Sequence, residues 1–533
     1  MARTDLFGRV ARAMRTAIWL ERRGVRREAG QLEMGRRQLL QTFGLAAGVA
    51  TLGAALPACA TGDGHEDGAS EPGSQPSAVS ASEPVVVVGA GLAGLTAAYR
   101  LAQRGRRVRV FDANNRVGGR TFTLRNEFDT KVEMGGEFID TGHVAIQRLA
   151  GELGLHLVDL TEATSSLERE RYFLRGERYT EAQIVEWFRP IARQLDEDYA
   201  AQGPNIASYD SNNEVQRRLD RTSIEEWFDR HRFHGPARAI IELAYIGEYG
   251  RETCEQSYLN LLYLISSEAP PLELFGDSDE RFTVREGNDA IATSLAARLP
   301  EPVTLEHRLV ALRSKSDGRV EVVLEERGRR VLETADHVVV AIPFTQLRKC
   351  EIAGVAVTSA QRRAIDILNY GTNGKLMLGM SSRPWVADGA SGASTTDVAY
   401  QQSWDSSRGY PTEGAAMTCF SGGKLGLALG EGRIRDQAAR SLAQLDRIFP
   451  GSAAAYDGKS VRMAWGTARH FEGSYACYAP GDWTRISGAE KLRFGNIHVA
   501  GEHTSTDFQG FMEGAVESGE RAAAEVLAGR ADA

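Results

Sequence analysis

The sequence predicts an α/β protein in which a Rossmann-like domain is completed by an α+β domain. Three observations predict the Rossmann-like part. Four valines, Val85–Val88, lead directly into Gly89-Ala90-Gly91-Leu92-Ala93-Gly94, and a helical apolar pattern follows. A second strand pattern then ends at Asp112, about 20 residues after the glycines. A glycine-rich turn between a strand and a helix, with an acid at this distance, is the dinucleotide-binding fingerprint.

Each residue type in this fingerprint has a physical role. Gly89 and Gly91 let the backbone approach a pyrophosphate, and Gly94 lets the helix pack closely on the sheet. The free N–H groups at the start of the helix attract phosphate oxygens. Asp112 can accept hydrogen bonds from ribose hydroxyls. The complete pattern disfavours the alternative, a glycine-rich turn in an unrelated strand–helix unit.

Length and composition limit the classes of function. The chain has 533 residues, of which 25% are charged and 42% hydrophobic, and a net charge of −8. These values are typical of a soluble globular protein of about three domains. Such a mild charge gives no reason to expect a nucleic-acid partner. The five cysteines form neither a CxxC pair nor a disulfide framework. We therefore expect structural thiols and no metal site.

Residues 1–59 are predicted to be an export signal. Arg36-Arg37 precedes a weakly apolar run, residues 43–56, which is shorter than the roughly 20 residues that span a bilayer. Paired arginines before such a run are typical of twin-arginine export, so we expect a periplasmic, envelope-bound or secreted protein. Cys59 ends a segment similar to a lipoprotein processing site, which leaves lipid anchoring and simple cleavage as alternatives. Residues 60–83, rich in Gly, Ser, Pro and acids, are predicted to be a flexible linker.

Three further blocks resemble the flavin-containing amine oxidase family. They are Arg116-Val-Gly-Gly-Arg120, Val499-Ala-Gly-Glu-His503 and residues 509–523. The resemblance covers residues 84–527 and implies the amine oxidase, or glutathione-reductase-like, fold. It implies an FAD-binding domain of residues 84–145, 281–346 and 461–530. This domain is interleaved with a substrate-binding domain of residues 146–280, mostly helical in pattern, and 347–460, which mixes strands and helices.

The resemblance also implies the FAD contacts. Ser474 falls where monoamine oxidases carry the cysteine that bonds to FAD, and serine cannot form a thioether, so we expect non-covalent FAD. The closing helix is expected to direct its N-terminus at the flavin ring, where it stabilises negative charge. The implied cofactor-binding residues are Gly89, Ala90, Gly91, Gly94, Asp112, Ala113, Arg116, Gly119, Arg120, Gly136, Glu137, Val310, Gly501, Glu502 and Met512.

Lys375, Tyr475 and Phe511 are the expected catalytic residues. In the resembling family a lysine at the place of Lys375 holds a water near the flavin N5; the alternative is a strand-edge lysine whose amine reaches solvent. Tyr475 and Phe511 fall on the two aromatic residues of the family's substrate cage, with core packing as the alternative for Tyr475. An aromatic slot desolvates the amine and orients its C–H bond. The neighbouring Cys477 is expected to be a packed thiol.

The expected substrate is an L-amino acid. Residues 133–143, 248–250, 256–257 with 260–262, and 276–281 resemble bacterial L-amino-acid oxidases. This resemblance implies imine formation, hydrolysis to a 2-oxo acid and ammonia, and reduction of O2 to H2O2. Yet Gly135-Gly-Glu-Phe138 lacks the arginine that binds the substrate carboxylate in snake-venom-type enzymes. Glu137 is instead free to bind a cationic group of the substrate, or to cap local N–H groups.

Two other functions stay open at this point. The first is oxidation of monoamines or polyamines. The second is a flavoprotein scaffold without activity, which the presence of Lys375 and of both cage aromatics disfavours. The partners expected are therefore O2 and a small amino acid or amine, with a membrane tether through Cys59 and a homodimer as further alternatives.

Overall fold

The computed structural model describes residues 84–265 and 278–529. The predicted export signal and linker, residues 1–83, lie outside these ranges. The strands, in chain order, are β1 Val85–Val88, β2 Val108–Phe111, β3 Thr123–Leu124, β4 Val132–Glu133, β5 Leu157–Asp159, β6 Arg171–Leu174, β7 Glu177–Tyr179, β8 Phe282–Val284, β9 Arg308–Ser314, β10 Val320–Glu326, β11 Arg329–Ala335, β12 Val338–Val340, β13 Glu351–Ala353, β14 Asn369–Tyr370, β15 Gly374–Met380, β16 Ser394–Thr396, β17 Gln402–Asp405, β18 Ala415–Ser421, β19 Tyr456–Ala464, β20 Ala476–Cys477 and β21 Ile497–Val499.

The helices fall between these strands and after the last of them. The α-helices are Leu92–Gln103, Val144–Glu152, Glu181–Gln202, Glu214–Asp220, Ile224–Arg230, Pro236–Tyr249, Tyr258–Leu264, Asp289–Ala297, Phe344–Leu347, Ser359–Ile367, Pro384–Ala387, Gly423–Ala428, Ile434–Ile448, Ser452–Ala455, Trp483–Ile486 and Met512–Ala528. Short 3-10 turns cover Glu162–Thr164, Thr253–Glu255, Trp465–Thr467 and Glu502–Thr504. None of the helices in the described ranges is both long and apolar enough to cross a membrane.

A parallel sheet in the order β2-β1-β12-β21 carries the glycine-rich turn. Every residue of β1 is buried, because parallel strands covered on both faces are apolar throughout, and this explains the four consecutive valines. The helix Leu92–Gln103 follows the turn and packs against the helix Met512–Ala528. The predicted α/β class and its strand–turn–helix unit are confirmed. Ligands of such sheets bind at the carboxyl ends of the strands, where Gly89 follows β1.

A seven-stranded sheet in the order β19-β15-β18-β17-β16-β6-β7 brings β15 to the interior. β15 pairs antiparallel with β18 on one side and with β19 on the other. All seven residues from Gly374 to Met380 are consequently buried. Neither face of this strand meets solvent. Lys375 therefore lies inside the protein.

The remaining elements complete the frame around the site. A third sheet has the order β11-β10-β9-β13. Residues 181–264 are mostly helical, as their apolar spacing predicts. The first of these helices begins with a capping box in which Thr180 and Gln183 bond to each other's backbone N–H. Their apolar faces pack into one cluster around Trp227, Tyr245 and Tyr258. This packing fixes the helix Pro236–Tyr249, which ends beside the site.

Candidate functional site

A cavity of about 320 Å³ lies at the carboxyl end of the parallel sheet and extends to β15. Segments far apart in the sequence meet around it, and most of the predicted site residues are among its lining. Those that line it are Gly89, Gly91, Asp112, Ala113, Gly119, Arg120, Gly136, Glu137, Lys375, Tyr475, Gly501, Glu502, Phe511 and Met512. Ala90, Gly94 and Arg116 lie behind the lining and shape it, whereas Val310 on β9 does not line the cavity.

The glycine-rich turn is too tight for side chains. A Cβ atom on Gly94 would lie 1.9 Å from the carbonyl oxygen of Gly89, and one on Gly89 would lie 2.5 Å from the carbonyl oxygen of Ala341. Gly91 precedes the first helical residue and brings no side chain to cap the helix. The first N–H groups of this helix therefore face the cavity, and they can bind an anion such as a pyrophosphate.

Hydrogen bonds fix the Asp112 carboxylate at the end of β2. Its Oδ2 accepts from the Ala90 N–H at 2.7 Å, and its Oδ1 accepts from the Asn114 N–H at 2.7 Å. Arg116 braces the next turn, because its guanidinium donates to the Gly119 carbonyl at 2.8 Å. The carboxylate keeps further lone pairs for hydroxyl donors in the cavity. These residues set the geometry of a dinucleotide cradle.

An ion pair ties four backbone segments together at the far end of the cradle. Arg120 Nη1 donates to Glu502 Oε1 at 2.9 Å and also to the Ser474 carbonyl. Glu502 Oε2 in turn accepts from the Gly510 N–H at 2.8 Å. Both side chains are largely buried, and charge-assisted hydrogen bonds of this kind are roughly twice as strong as neutral ones. The pair therefore preorganises the cavity wall.

Lys375 projects from β15 onto the turn after β4. Its Nζ donates to the carbonyl of Glu133 at 2.9 Å, to the carbonyl of Gly135 at 2.8 Å and to Glu137 Oε2 at 2.7 Å. Only 5% of the residue is exposed. The alternative of a strand-edge lysine whose amine reaches solvent is therefore wrong. The cost of burying an ammonium is met by an opposite charge and two carbonyl dipoles.

Glu137 is held from both sides. Its Oε1 accepts from Trp404 Nε1 at 3.0 Å, and its Oε2 accepts from Lys375. The Trp404 ring also lies 5.4 Å from the Lys375 ammonium, within range of a cation–π interaction. The expectation that Glu137 caps local N–H groups is wrong, because side chains of β15 and β17 occupy both of its oxygens. Sequence reasoning missed Trp404 entirely.

The two predicted cage aromatics line the same cavity. The Tyr475 hydroxyl donates to the Gly247 carbonyl at 3.3 Å, so its ring is held at the helix Pro236–Tyr249. Phe511 immediately precedes the closing helix and packs edge-on against the His143 ring, with 5.1 Å between ring centroids. Burial lowers the pKa of His143 to about 3, so that ring is neutral. Tyr475 thus faces the cavity instead of merely packing in the core.

Comparison with known proteins identifies the family. The sequence model of the flavin containing amine oxidoreductases matches residues 92–527. The chain belongs to this family. Among relatives, flavin-containing amine oxidase B of Homo sapiens is 27% identical over 466 residues, covering 83% of this chain and 86% of the relative. A flavin-containing amine oxidase of Oncorhynchus mykiss is 26% identical over 461 residues, covering 83% and 85%.

Solved structures share the fold of this amine oxidoreductase. A putrescine oxidase bound to putrescine matches with a TM-score of 0.72 and 22% identity, covering 84% of this chain and 99% of that chain. Cyclohexylamine oxidase from Brevibacterium oxydans IH-35A matches with a TM-score of 0.72 and 21% identity, with the same coverage. These matches confirm the predicted amine oxidase fold.

FAD is the cofactor of this amine oxidoreductase, and the cavity fits it. The glycine turn and helix start suit its pyrophosphate, Asp112 suits a ribose, and Met512, the first residue of the closing helix, also lines the cavity. Ser474 Oγ donates to Asn373 Oδ1 at 2.5 Å. A serine hydroxyl gives no thioether, so FAD is held non-covalently. Cys477 is buried, and Asn260 donates to its sulfur at 3.8 Å, which confirms a packed thiol.

The amine oxidoreductase cavity also contains carboxyl groups that were not predicted as site residues. Asp140, Glu248 and Glu280 line it. Desolvation by the surrounding protein, followed by repulsion from Glu280, raises the pKa of Glu248 to about 8. Desolvation likewise raises the pKa of Glu280 to about 7, although Arg408 opposes this. Perturbed pKa values in a cleft are typical of functional groups. The available sequence signal was an acid among apolar residues in Tyr245-Ile-Gly-Glu248.

Proposed function

We propose that this enzyme is an FAD-dependent oxidase of diamines or polyamines, which is the amine alternative to the expected L-amino-acid oxidation. One observation carries the proposal. Besides Glu137, and besides Asp112 and Glu502 of the dinucleotide cradle, three carboxyl groups line the cavity that holds the aromatic pair: Asp140, Glu248 and Glu280. A substrate with a second ammonium group would find its counter-charge there. Carboxylates and ammonium groups attract strongly where water is excluded.

Among the described residues, the cavity offers no unengaged lysine or arginine to the carboxylate of an amino-acid substrate. Among the described lining residues, the arginine is Arg120 and the lysine is Lys375. Both side chains already bond to carboxylates and to backbone carbonyls. A substrate carboxylate would instead face the acids of the cavity, and each acid that is ionised repels it. The acids of this chain support a diamine or polyamine substrate, whereas the likeness to putrescine oxidase concerns only the fold.

The chain's residues prepare the substrate for oxidation. An alkylammonium with a pKa of about 10.4 must lose a proton at a cost of roughly 4–5 kcal/mol at pH 7. A slot between the Tyr475 and Phe511 rings desolvates the reacting nitrogen and thereby favours its neutral form. The acids hold the distant ammonium, so binding also orients the Cα–H bond. Bound FAD would supply the redox chemistry, as the acceptor of hydride and the donor of two electrons to O2.

The balanced reaction gives products that are easily measured. A primary amine, O2 and water yield an aldehyde, ammonia and H2O2. We expect the purified holoenzyme to release H2O2 with putrescine or spermidine at a kcat/KM at least tenfold above that with benzylamine. We expect none with the twenty L-amino acids. Activity confined to L-amino acids, or to monoamines, would overturn the proposal.

A matched variant links the activity to the acids. Glu248→Gln keeps the shape of the side chain and removes its charge. It should lower kcat/KM for putrescine at least tenfold and that for benzylamine less than threefold, because benzylamine has no second ammonium. Equal losses with both amines would indicate a general structural effect and contradict the assigned role of Glu248.

The proposal also covers export, domain arrangement and oligomeric state. We propose that residues 1–59 direct twin-arginine export, with either cleavage near Cys59 or a lipid on Cys59. We also propose that the FAD-binding and substrate-binding segments interleave as the sequence predicts, and that homodimers form. Mass spectrometry of the mature N-terminus, together with fractionation of membranes, tests export and anchoring. An intact residue 1 in the cell envelope fraction would contradict processing.

A further inference from the structure

We propose that Glu137 is a positioning residue for Lys375, and that it makes no contact with the substrate. Both residues line the cavity, and the distance between Lys375 Nζ and Glu137 Oε2 is 2.7 Å. The carboxylate fixes the lysine as a charged ammonium and cancels its charge toward a cationic substrate. The relevance to substrate rests on the proposed function, whereas the pairing itself does not.

The number of N–H donors on Lys375 identifies its charged form. An ammonium group has three N–H donors, and a neutral amine has two. Lys375 donates to three acceptors, the carbonyls of Glu133 and Gly135 and the Glu137 carboxylate, at distances of 2.7 to 2.9 Å. Lys375 is therefore the charged form in this arrangement, and its N–H groups are all engaged by the protein. Lys375 therefore contributes a fixed positive charge to the cavity wall.

Lys375 and Trp404 hold the Glu137 carboxylate in place. The side chains of Lys375 and Glu137 are 6% and 7% exposed, so each charge depends on the other. Trp404 Nε1 donates to the second carboxylate oxygen at 3.0 Å and orients the carboxylate toward β15. The carboxylate therefore has its strong acceptor sites directed at Trp404 and Lys375. A substrate ammonium would have to displace one of them.

The pairing decides which charge the cavity wall presents to a cationic amine. A lone ammonium in a wall of low dielectric would repel a cationic amine, and a lone carboxylate would attract it. The pair is neutral as a whole, so it does neither at a distance. A preorganised charge nevertheless favours negative charge that develops directly beside it. Glu137 thereby lets Lys375 assist oxygen reduction without excluding the substrate.

The pairing can be read directly from lysine NMR signals. The sequence has seven lysines, Lys131, Lys315, Lys349, Lys375, Lys424, Lys459 and Lys491, so a spectrum of protein labelled at lysine Cε is simple. Lys375→Met assigns the signal of Lys375. We expect Glu137→Gln and Trp404→Phe each to shift that signal in the FAD-loaded protein. Lys349→Gln, which breaks an exposed ion pair with Glu472, should leave it unmoved.

A double-mutant cycle separates positioning from substrate contact. The flavin is reduced with dithionite under argon and mixed with O2, so no amine is involved. We expect Glu137→Gln to slow reoxidation at least fivefold in the wild-type background and less than twofold in the Lys375→Met background, because Glu137 acts through Lys375. Equal effects in both backgrounds, or an unmoved Lys375 signal in Glu137→Gln, would overturn the inference. Neither outcome bears on whether the enzyme oxidises polyamines.

Discussion

The raised pKa values of the cavity acids predict how binding of a dication depends on pH. The probe is 1,4-bis(trimethylammonio)butane, which carries two fixed charges and no proton that can be lost. The Glu248 carboxyl, with a pKa of about 8, is ionised in about one molecule in eleven at pH 7 and in about ten of eleven at pH 9. Because the ionised form binds a cation, Glu248 contributes about a tenfold rise in affinity between these pH values.

Glu280 contributes less to this rise. Its carboxyl has a pKa of about 7, so about half of it is already ionised at pH 7 and its ionisation adds about a factor of two. Wild-type affinity should therefore rise about twentyfold from pH 7 to pH 9. Glu248→Gln should retain only the twofold part. Affinity rises with pH because burial raises the pKa of both acids, and a cation binds their ionised forms.

The assay is calorimetric titration of the FAD-loaded protein with this dication at five pH values. Glu490→Gln is the matched control, because burial also raises the pKa of Glu490 to about 7, yet its carboxylate bonds to the Tyr478 hydroxyl and lies outside the cavity lining. The control should keep the wild-type slope. An affinity that does not change with pH, or a slope that survives Glu248→Gln, would refute the reasoning.

Two further predictions concern the cradle and the cage. Gly94→Ala places a Cβ 1.9 Å from the carbonyl of Gly89, so flavin absorbance per protein should fall at least tenfold after dialysis. Gly151→Ala, where no atom lies within 4 Å of the new Cβ, should retain its flavin. Tyr475→Ala should slow anaerobic flavin reduction by putrescine at least tenfold, whereas Tyr475→Phe, which loses only the bond to the Gly247 carbonyl, should slow it less than threefold; equal losses in the two variants would contradict a cage role.

Local sequence signals predicted the nucleotide end of the fold. The strand, turn and helix from Val85 to Gln103 lie within one continuous stretch, and the spacing of its glycines follows from how closely two backbones approach. Asp112 was found for the same reason, because a short and regular connection separates it from the glycines. The glycine at position 94, for example, is required by the carbonyl of Gly89 only five residues away. Signals of this kind need no knowledge of tertiary structure.

The character of β15 could not be predicted in the same way. A strand with one lysine among apolar residues suits either an edge or an interior position, and only the pairing with β18 and β19 decides between them. That pairing joins residues 35 to 90 positions apart and depends on the order of the whole sheet. The partner of Lys375 is more distant still, since Glu137 is 238 positions away. No periodicity connects such residues.

The pairing also changes the assignment of the residue that binds a second amine. From sequence, Glu137 was one acceptor for a cationic group, because it stands where the snake-venom-type arginine is missing. Lys375 would repel a cation about 5 Å away by about 3 kcal/mol at an effective dielectric constant of 20. Such a repulsion lowers the affinity more than a hundredfold. The Glu137 carboxylate cancels this repulsion, and Lys375 in turn neutralises the charge of Glu137. Net attraction for a second ammonium must therefore come from Asp140, Glu248 and Glu280, and this is why removal of Glu248 should discriminate between diamines and monoamines.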